Sequence, residues 1–203
     1  MTVIGLTGPT GSGKSTLCNI AAEFGIKSID ADKVYHDLLV PPSLCLEAIV
    51  NAFGNGVLNE DGSLNRAVLA SIVFAVGADE KLRTLNSITH KFVKEEFRRI
   101  ISDMKNSAEK FVIVDAPTLY ESGFDKECDF TVAIIADRSI RSTRIIERDF
   151  LSADRAEQRL SAQKPDDFFI QRANYVLYNN GDVNILKESF INVIRKHGGI
   201  DEN

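Results

Sequence analysis

The feature that most constrains this chain is a glycine-rich segment near its N-terminus. Gly8 and Gly13 are separated by four residues, and Lys14 and Ser15 follow directly. The apolar run Val3–Thr7 precedes the segment, and a helical pattern follows it. In this context the spacing is typical of a phosphate-binding P-loop. It predicts an α/β core in which a strand leads through the loop into a helix.

The chemistry of a phosphate site explains the residue types in this loop. Glycines let backbone N–H groups approach phosphate oxygens, and the following helix presents its positive N-terminus. We expect Lys14 to reach the β- and γ-phosphates of ATP and the Ser15 hydroxyl to bind Mg²⁺. The expected nucleotide contacts are Gly8, Gly11, Ser12, Gly13, Lys14, Ser15 and Thr16. The alternative interpretation is a glycine-rich turn with an exposed lysine.

Four further apolar runs predict the remaining strands. They are Ile26–Ile29, Phe111–Val114, Phe130–Ile135 and a weaker candidate, Tyr175–Tyr178. The runs Phe111–Val114 and Phe130–Ile135 are nearly continuous rather than alternating, which suits parallel strands covered by helices on both faces. The predicted fold is therefore α/β, a three-layer parallel sheet of the P-loop NTPase type.

A long helical stretch interrupts the predicted sheet. Apolar residues such as Leu64, Val68 and Leu69 recur at three- and four-residue steps, without a convincing strand pattern. We expect a single domain whose core spans about 1–40 and 110–203, with a helical insertion at about 41–109. Open α/β sheets bind ligands beyond the carboxyl ends of their strands, so the insertion is expected there.

Two carboxylates follow predicted strands. Asp32 comes after the second run and is our candidate for accepting the proton of the acceptor hydroxyl. The alternative is that Asp32 is the N-cap of a helix over residues 33–39, while Asp30 caps or braces the loop. Asp115 ends the third run, and we expect it to contact metal or substrate unless it only forms the turn before Pro117.

Arginines are concentrated in the helix predicted after the fourth strand. A solvated basic helix is the ordinary interpretation of such a run. In a phosphotransferase, the same guanidinium groups can close over ATP and spread across developing charge. We choose Arg144 and Arg148 as catalytic candidates, with Arg141 and Arg159 next.

Composition restricts the partners and the compartment. The formal net charge is −5, which argues against a surface that tracks nucleic acid. No apolar stretch approaches the roughly 20 residues needed to span a bilayer, and the N-terminus lacks a signal-peptide pattern. Three scattered cysteines suit a reducing cytoplasm better than a disulfide framework. We expect a cytoplasmic protein with small-molecule partners; the oligomeric state stays open, and a monomer is compatible.

The ordered set of motifs resembles the dephospho-CoA kinase family over nearly the whole chain. Besides the P-loop, the resembling segments are Ile29–Asp32, Asp61–Arg66, Val73 with Phe74, His90, Asp115–Glu121, Arg148 with Asp149, Arg159 with Gln163, and Asn179–Gly181. The resemblance implies transfer of the γ-phosphate of ATP to the ribose 3′-hydroxyl of dephospho-CoA, giving coenzyme A. It also implies that Asp32 is the base.

The same resemblance assigns the remaining segments. The insertion would bind the acceptor, with Asp32, Arg66, His90 and Asp115 as substrate contacts. Residues 149–163 would form a lid, and Asn179 and Gly181 would lie near adenine. Taken alone, His90 is typical of a packed or surface histidine.

Three positions depart from the family pattern. Pro9 and Thr10 stand where Gly-Ile or a similar pair is usual, Lys91 where proline is common, and Asn174 where aspartate is common. These departures affect the fine geometry expected for the substrates. They leave Lys14 and Asp115 in place.

Two other functions fit parts of the sequence. Another small-molecule P-loop kinase, acting on a nucleotide or nucleoside, would have a similar loop and arginine-rich lid. A nucleotide-sensing switch would need a guanine signature, and residues 163–166, Gln-Lys-Pro-Asp, only partly match one. We interpret that segment as a loop.

Overall fold

Five strands form one sheet in the computed structural model, which describes residues 1–104 and 109–198. They are β1 (Thr2–Thr7), β2 (Lys27–Asp30), β3 (Phe111–Asp115), β4 (Phe130–Ile135) and β5 (Tyr175–Tyr178). The order across the sheet is β2-β3-β1-β4-β5, with β1 paired in parallel to β3 and β4, and β4 to β5. The predicted parallel sheet is confirmed.

Ten α-helices lie in the described ranges. They are α1 (Lys14–Glu23), α2 (Ala31–Asp37), α3 (Leu44–Phe53), α4 (Arg66–Val73), α5 (Asp79–Met104), α6 (Leu119–Ser122), α7 (Arg138–Asp149), α8 (Ala153–Ser161), α9 (Asp166–Ile170) and α10 (Val183–Lys196). Short 3₁₀ turns cover Asn55–Val57 and Phe124–Glu127. None of these helices is long and apolar enough to cross a membrane.

Helices cover both faces of the sheet, which gives the predicted three layers. On one face, β1 contributes Ile4 and Leu6 to a core that also contains Leu17 of α1 and Phe190 of α10. On the other face, Ile135 of β4 packs with residues of α9, including Phe169. Because side chains alternate along a strand, a continuous apolar run supplies both faces at once.

The chain divides into two compact units. The sheet unit comprises Met1–Ile29 and Met104–Asn203, and the helical unit comprises Asp30–Asp103. The helical unit has its own core, which includes Leu46, Ile49 and Leu69. The helical unit starts at Asp30, where α2 directly follows β2, whereas the sequence placed the start of the insertion near residue 41. Residues 105–108, at the predicted end of the insertion, lie outside the described residues.

Candidate active site

The phosphate loop connects β1 to α1 in the sheet unit. Gly13 is the N-cap residue of α1, and no side chain of the described residues caps the first turn of this helix. The first turn also contains no acidic residue. Backbone N–H groups at an uncapped helix N-terminus have no intrahelical acceptor, and they carry the positive end of the helix dipole. The loop therefore presents hydrogen-bond donors suited to an anion.

Two of the loop glycines are required by geometry. Gly13 has φ 103°, and a Cβ there would lie 2.0 Å from Nδ2 of Asn179. Gly8 has φ 138°, and a Cβ there would lie 2.3 Å from the carbonyl oxygen of Ile134. Any larger residue would push the loop away from its neighbours. The loop is therefore closely packed on the sheet unit and has a defined shape.

The charged and hydroxyl side chains of the loop lie at the start of α1. Nζ of Lys14 donates to the carbonyl oxygen of Gly8 at 2.9 Å, so the ammonium group folds back across the loop. Ser15 is exposed in the first turn, and Thr16 is half-buried beside it. Ser12 is fully buried. The predicted lysine and hydroxyl pair is thus held on one short segment.

Arg144 and Asn179 contact the second half of the loop. Nδ2 of Asn179 donates to the carbonyl oxygen of Ser12 at 2.8 Å. The guanidinium of Arg144 donates to the carbonyl oxygens of Gly11 at 3.2 Å and Ser12 at 3.4 Å. It also donates to the carbonyl of Asn179 at 3.1 Å. Gly181 is exposed, and a Cβ added there would meet no atom of the described residues within 4 Å.

The segment after α8 contacts the first half of the loop. Oε1 of Gln163 accepts a hydrogen bond from the backbone N–H of Thr10 at 2.6 Å. Three residues later, Asp166 pairs with the buried side chain of Arg141 at 3.1 Å. Arg141 is therefore not available to close over ATP, contrary to the expectation from the sequence. The partial guanine signature at 163–166 is instead a segment that bonds the loop and the helix beside it.

A small charge network lies where α7 ends and α8 begins. Asp149 accepts from Arg148 at 2.8 Å and from Arg159 at 2.5 Å. The hydrogen bond from Arg148 is the main cause that holds the pKa of Asp149 below its ordinary value, and the charge of Arg159 adds to it. The same hydrogen bond raises the pKa of Arg148. Arg148 therefore stays charged, and the aspartate that both arginines share orients their side chains.

Asp115 lies at the carboxyl end of β3, in register with Leu6 of β1. The phosphate loop follows β1, so Asp115 lies at the same edge of the sheet as the loop. It is half-buried, and its Oδ2 lies 3.9 Å from the thiol sulfur of Cys18 on α1. This edge is where a parallel α/β sheet places its ligand groups.

Asp32 belongs to the helical unit, in the first turn of α2. Asp30 is the N-cap of this helix: its Oδ1 accepts from the N–H groups of Asp32 at 2.8 Å and Lys33 at 3.1 Å. The alternative interpretation of Asp32 as the N-cap is therefore wrong, because Asp30 holds that position. The side chain of Asp32 is exposed and is not occupied by capping.

Arg66 and His90 also belong to the helical unit. Arg66 is the first residue of α4, and its Nη1 lies 3.2 Å from Nε2 of His36. His90 lies in α5 and is half-buried. Burial lowers the pKa of His90, and the charge of Lys94 lowers it further. At neutral pH His90 is therefore an uncharged hydrogen-bonding group, whereas Arg66 is a cation.

Comparison with known proteins identifies the family. The dephospho-CoA kinase family model matches residues 2–184. The chain belongs to the dephospho-CoA kinase family. A dephospho-CoA kinase of Carboxydothermus hydrogenoformans is 34% identical over 194 residues, which cover 96% of this chain and 93% of the relative. A dephospho-CoA kinase of Fusobacterium nucleatum is 38% identical over 181 residues, with 89% and 91% covered. As a member of this family, the chain is a kinase.

Solved structures agree with this assignment. A dephospho-CoA kinase from Campylobacter jejuni matches with a TM-score of 0.65 and 28% identity, covering 98% of each chain. A crystal structure from Thermus thermophilus has a TM-score of 0.78 and 27% identity, covering 96% of this chain and 97% of that one. A shikimate kinase from Acinetobacter baumannii, at 16% identity and a TM-score of 0.54, shares only the fold.

The contacts that hold the loop of this dephospho-CoA kinase family member are not among the sequence predictions. Gln163 falls in the family pattern without an individual role, and Asp166 falls in a segment interpreted as a loop. The signal for both is weak, because their partners Thr10 and Arg141 are far away in sequence. A buried arginine in a basic helix needs a carboxylate partner, and this requirement is the signal that could have pointed to Asp166.

Proposed function

We propose that this protein transfers the γ-phosphate of ATP to the ribose 3′-hydroxyl of dephospho-CoA and so produces coenzyme A. The family assignment supports dephospho-CoA as the phosphate acceptor. The phosphate loop supports the donor, since an uncapped helix N-terminus, closely packed glycines and a lysine folded across the loop together suit a triphosphate. The shape of this loop is the observation on which the donor site depends.

The residues present also fit a magnesium ion. Ser15 offers an exposed hydroxyl in the first turn of α1, and Asp115 offers a carboxylate at the same sheet edge. No cluster of three or more His, Cys, Asp or Glu side chains forms a metal site within residues 1–104 and 109–198. Mg²⁺ commonly takes one or two protein ligands and completes its shell with phosphate oxygens and water. When bound, it would offset charge on the transferring phosphate.

Lys14 is proposed to stabilise the phosphates directly. Its Nζ already lies across the loop, 2.9 Å from the carbonyl oxygen of Gly8. An ammonium group in this position can exchange a carbonyl acceptor for the more strongly binding oxygens of the β- and γ-phosphates. The negative charge that develops during transfer would then meet a preorganised cation.

Asp32 is proposed to orient the acceptor hydroxyl and to accept its proton. Its carboxylate is exposed, and capping of α2 is carried out by Asp30. The backbone around Asp32 is nevertheless fixed, because its own N–H donates to Asp30 at 2.8 Å. A general base needs this combination of an available carboxylate and a rigid support.

The remaining charged groups are assigned by their surroundings. Arg148, oriented by Asp149, is proposed to meet the transferring phosphate, with Arg159 beside it. In the helical unit, Arg66 is proposed to bind an anionic group of the acceptor, and His90 to bind an uncharged group because its pKa is lowered. Adenine contacts are proposed for the exposed turn at Gly181.

A reducing, cytoplasmic location is proposed from the cysteines. No disulfide joins Cys18, Cys45 and Cys128. Burial raises the pKa of Cys45 to about 11 and is the main cause that raises that of Cys128 to about 12. Thiols with such raised pKa values remain protonated and behave as small packed side chains.

The identity of the phosphate acceptor is tested with a panel of candidate compounds. Purified protein is incubated with ATP, magnesium and one candidate: dephospho-CoA, AMP, CMP, uridine or pantothenate. We expect rapid ATP consumption only with dephospho-CoA, together with a mass gain of one phosphoryl group on that compound. Faster turnover with a nucleotide or nucleoside would show that this compound, and not dephospho-CoA, is the acceptor. Equal binding of GTP and ATP without stimulation by any acceptor would indicate a nucleotide switch instead.

A further inference from the structure

Arg144 and Asn179 form a brace behind the second half of the phosphate loop. Between them they donate four hydrogen bonds, at 2.8 to 3.4 Å, to the carbonyl oxygens of Gly11, Ser12 and Asn179 itself. Asn179 is 5% exposed, and its amide group lies against the Cα atom of Gly13. The loop is therefore held through its carbonyl groups, on the side opposite to its N–H donors.

The peptide geometry explains why these carbonyl bonds matter. In a planar trans peptide, the carbonyl of one residue and the N–H of the next point in opposite directions. Fixing the carbonyl of Ser12 therefore fixes the N–H of Gly13. That N–H has no acceptor in the described part of the protein, whereas the N–H of Ser12 donates to the carbonyl of Pro9 at 3.3 Å. The brace thus aims an unused donor at the space where a phosphate would bind.

The charge of Arg144 is also unusual within its helix. Arg138, Arg141 and Arg148 of α7 each pair with a carboxylate, from Glu157, Asp166 and Asp149 respectively. Within residues 1–104 and 109–198, Arg144 meets only neutral carbonyl and amide oxygens. A partly buried cation without a carboxylate is unfavourable unless an anion compensates it. A phosphate group on the other side of the loop would be that anion.

We propose that Arg144 and Asn179 are positioning residues that hold the phosphate loop in its anion-binding form, and that the charge of Arg144 acts on the β- and γ-phosphates through the loop. This inference rests on the proposed ATP site. It replaces two expectations from the sequence, in which Arg144 closes over ATP and Asn179 contacts adenine. Nη1 of Arg144 and Nδ2 of Asn179 both donate to the backbone of the loop, so the effect of these side chains should depend on phosphates and not on the base.

The experiment therefore measures binding along the series AMP, ADP and ATP. Arg144→Met removes both the charge and the hydrogen bonds. We expect it to weaken the binding of ATP and ADP by roughly 10- to 100-fold, the effect of losing one or two charged hydrogen bonds. AMP, which lacks the β-phosphate, should change by less than about threefold. Calorimetry gives the ATP and ADP values, and competition against ATP at saturating dephospho-CoA gives the AMP value.

Two further variants separate positioning from folding. Arg144→Lys restores the charge without the planar fork, so it should recover part of the ATP affinity. Asn179→Asp keeps the shape of the side chain but loses the donor to Ser12 and gives Arg144 a carboxylate partner. This variant should show the same selective loss of affinity for ADP and ATP. Thr143→Ala is the matched control, because Thr143 lies exposed on α7 next to Arg144 and, within the described ranges, its hydroxyl donates only to the carbonyl oxygen of Ser139; all three affinities should stay unchanged.

The outcomes distinguish this inference from the proposed function. An equal loss of affinity for AMP, ADP and ATP would mean that Arg144 and Asn179 contact the base or only support folding. That result would overturn the inference. Unchanged affinities in Arg144→Met and Asn179→Asp would do the same. If the unmodified protein bound no ATP, the proposed donor site itself would fail. The KM for dephospho-CoA should stay unchanged in all variants.

Discussion

The two units of this protein position their site residues by different kinds of contact. In the sheet unit, the hydrogen bonds that join the phosphate loop to other elements connect residues far apart in the chain. Thr10 and Gln163 are 153 positions apart, Gly11 and Arg144 are 133, and Ser12 and Asn179 are 167. Each bond therefore exists only when the whole sheet unit is folded.

In the helical unit, the side-chain hydrogen bonds of the described residues are mostly local. Asp32 and Asp30 are 2 positions apart, and Arg99 reaches Glu96 and Asp103 at separations of 3 and 4. The contact between His36 and Arg66, at 30 positions, is the longer exception. The donor site should therefore respond to changes at many distant positions, whereas the acceptor site should respond to changes at single residues.

The largest effect is expected from Lys14→Ala in the sheet unit. Lys14 lies across the phosphate loop, and its loss removes the cation proposed to stabilise the phosphates. We expect no detectable phosphate transfer in an assay that follows coenzyme A formation. Lys187→Ala is the control, because Lys187 forms an exposed ion pair with Glu23. A Lys14→Ala enzyme with a tenth of normal activity would contradict the proposed role.

The next largest effect is expected from Asp32→Asn in the helical unit. If Asp32 accepts the proton of the acceptor hydroxyl, kcat should fall by roughly 10²–10⁴. The affinity for ATP, measured by calorimetry, should stay the same. A fall in kcat with unchanged ATP affinity would separate the role of Asp32 in the helical unit from ATP binding in the sheet unit.

Asp30→Asn is the matched control for Asp32→Asn. Asparagine caps helices about as well as aspartate, so α2 should keep its start and kcat should change little. If both variants lost activity equally, the common cause would be the structure of α2. In that case the general-base assignment would be withdrawn.

Arg66→Ala should have a smaller effect that is restricted to the acceptor. The loss of one charged hydrogen bond predicts a rise of roughly tenfold in the KM for dephospho-CoA, with the KM for ATP unchanged. Arg99→Ala is the control, because Arg99 pairs with Glu96 and Asp103 on its own exposed helix surface. A parallel rise in the KM for ATP would break the proposed separation of donor and acceptor sites.

The sequence predicted the sheet and the phosphate loop well, because both have local signals. Continuous apolar runs mark buried parallel strands, and the spacing of Gly8, Gly13 and Lys14 marks a loop between strand and helix. The boundary of the helical unit was less accurate. Asp30 and Asp32 are both capable N-caps, and sequence alone does not show which one accepts the helix N–H groups.

The environment of each arginine could not be predicted from the sequence. Arg141, Arg144 and Arg148 lie on one helix at similar spacing, yet one is buried against Asp166, one braces the loop and one pairs with Asp149. Their roles depend on residues brought in from other elements of the sheet unit. Periodicity shows which face a residue occupies, but it does not show which element packs on that face.

The smallest effect is expected from Asn174→Asp, which restores the residue common in the family. Oδ1 of Asn174 accepts from the backbone N–H of the buried residue Thr131 at 2.8 Å and from its hydroxyl at 3.1 Å. The asparagine therefore already supplies the oxygen acceptor that an aspartate would supply. A carboxylate accepts these bonds more strongly, so we expect a gain of up to about 1 kcal/mol in unfolding free energy at pH 7, with unchanged kinetics.

The pH dependence of this gain separates the charge from simple side-chain packing. Hydrogen bonds to the ionised form should lower the folded-state pKa of the carboxyl group that Asn174→Asp introduces. The gain should then be complete well above about pH 4, the ordinary value for aspartate, and should disappear as the pH falls below it. Thermal unfolding of the variant and the unmodified protein at pH 7 and at low pH measures this difference. A loss of stability at pH 7 would mean that the amide nitrogen of Asn174 is needed, and that the departure from the family pattern is not neutral.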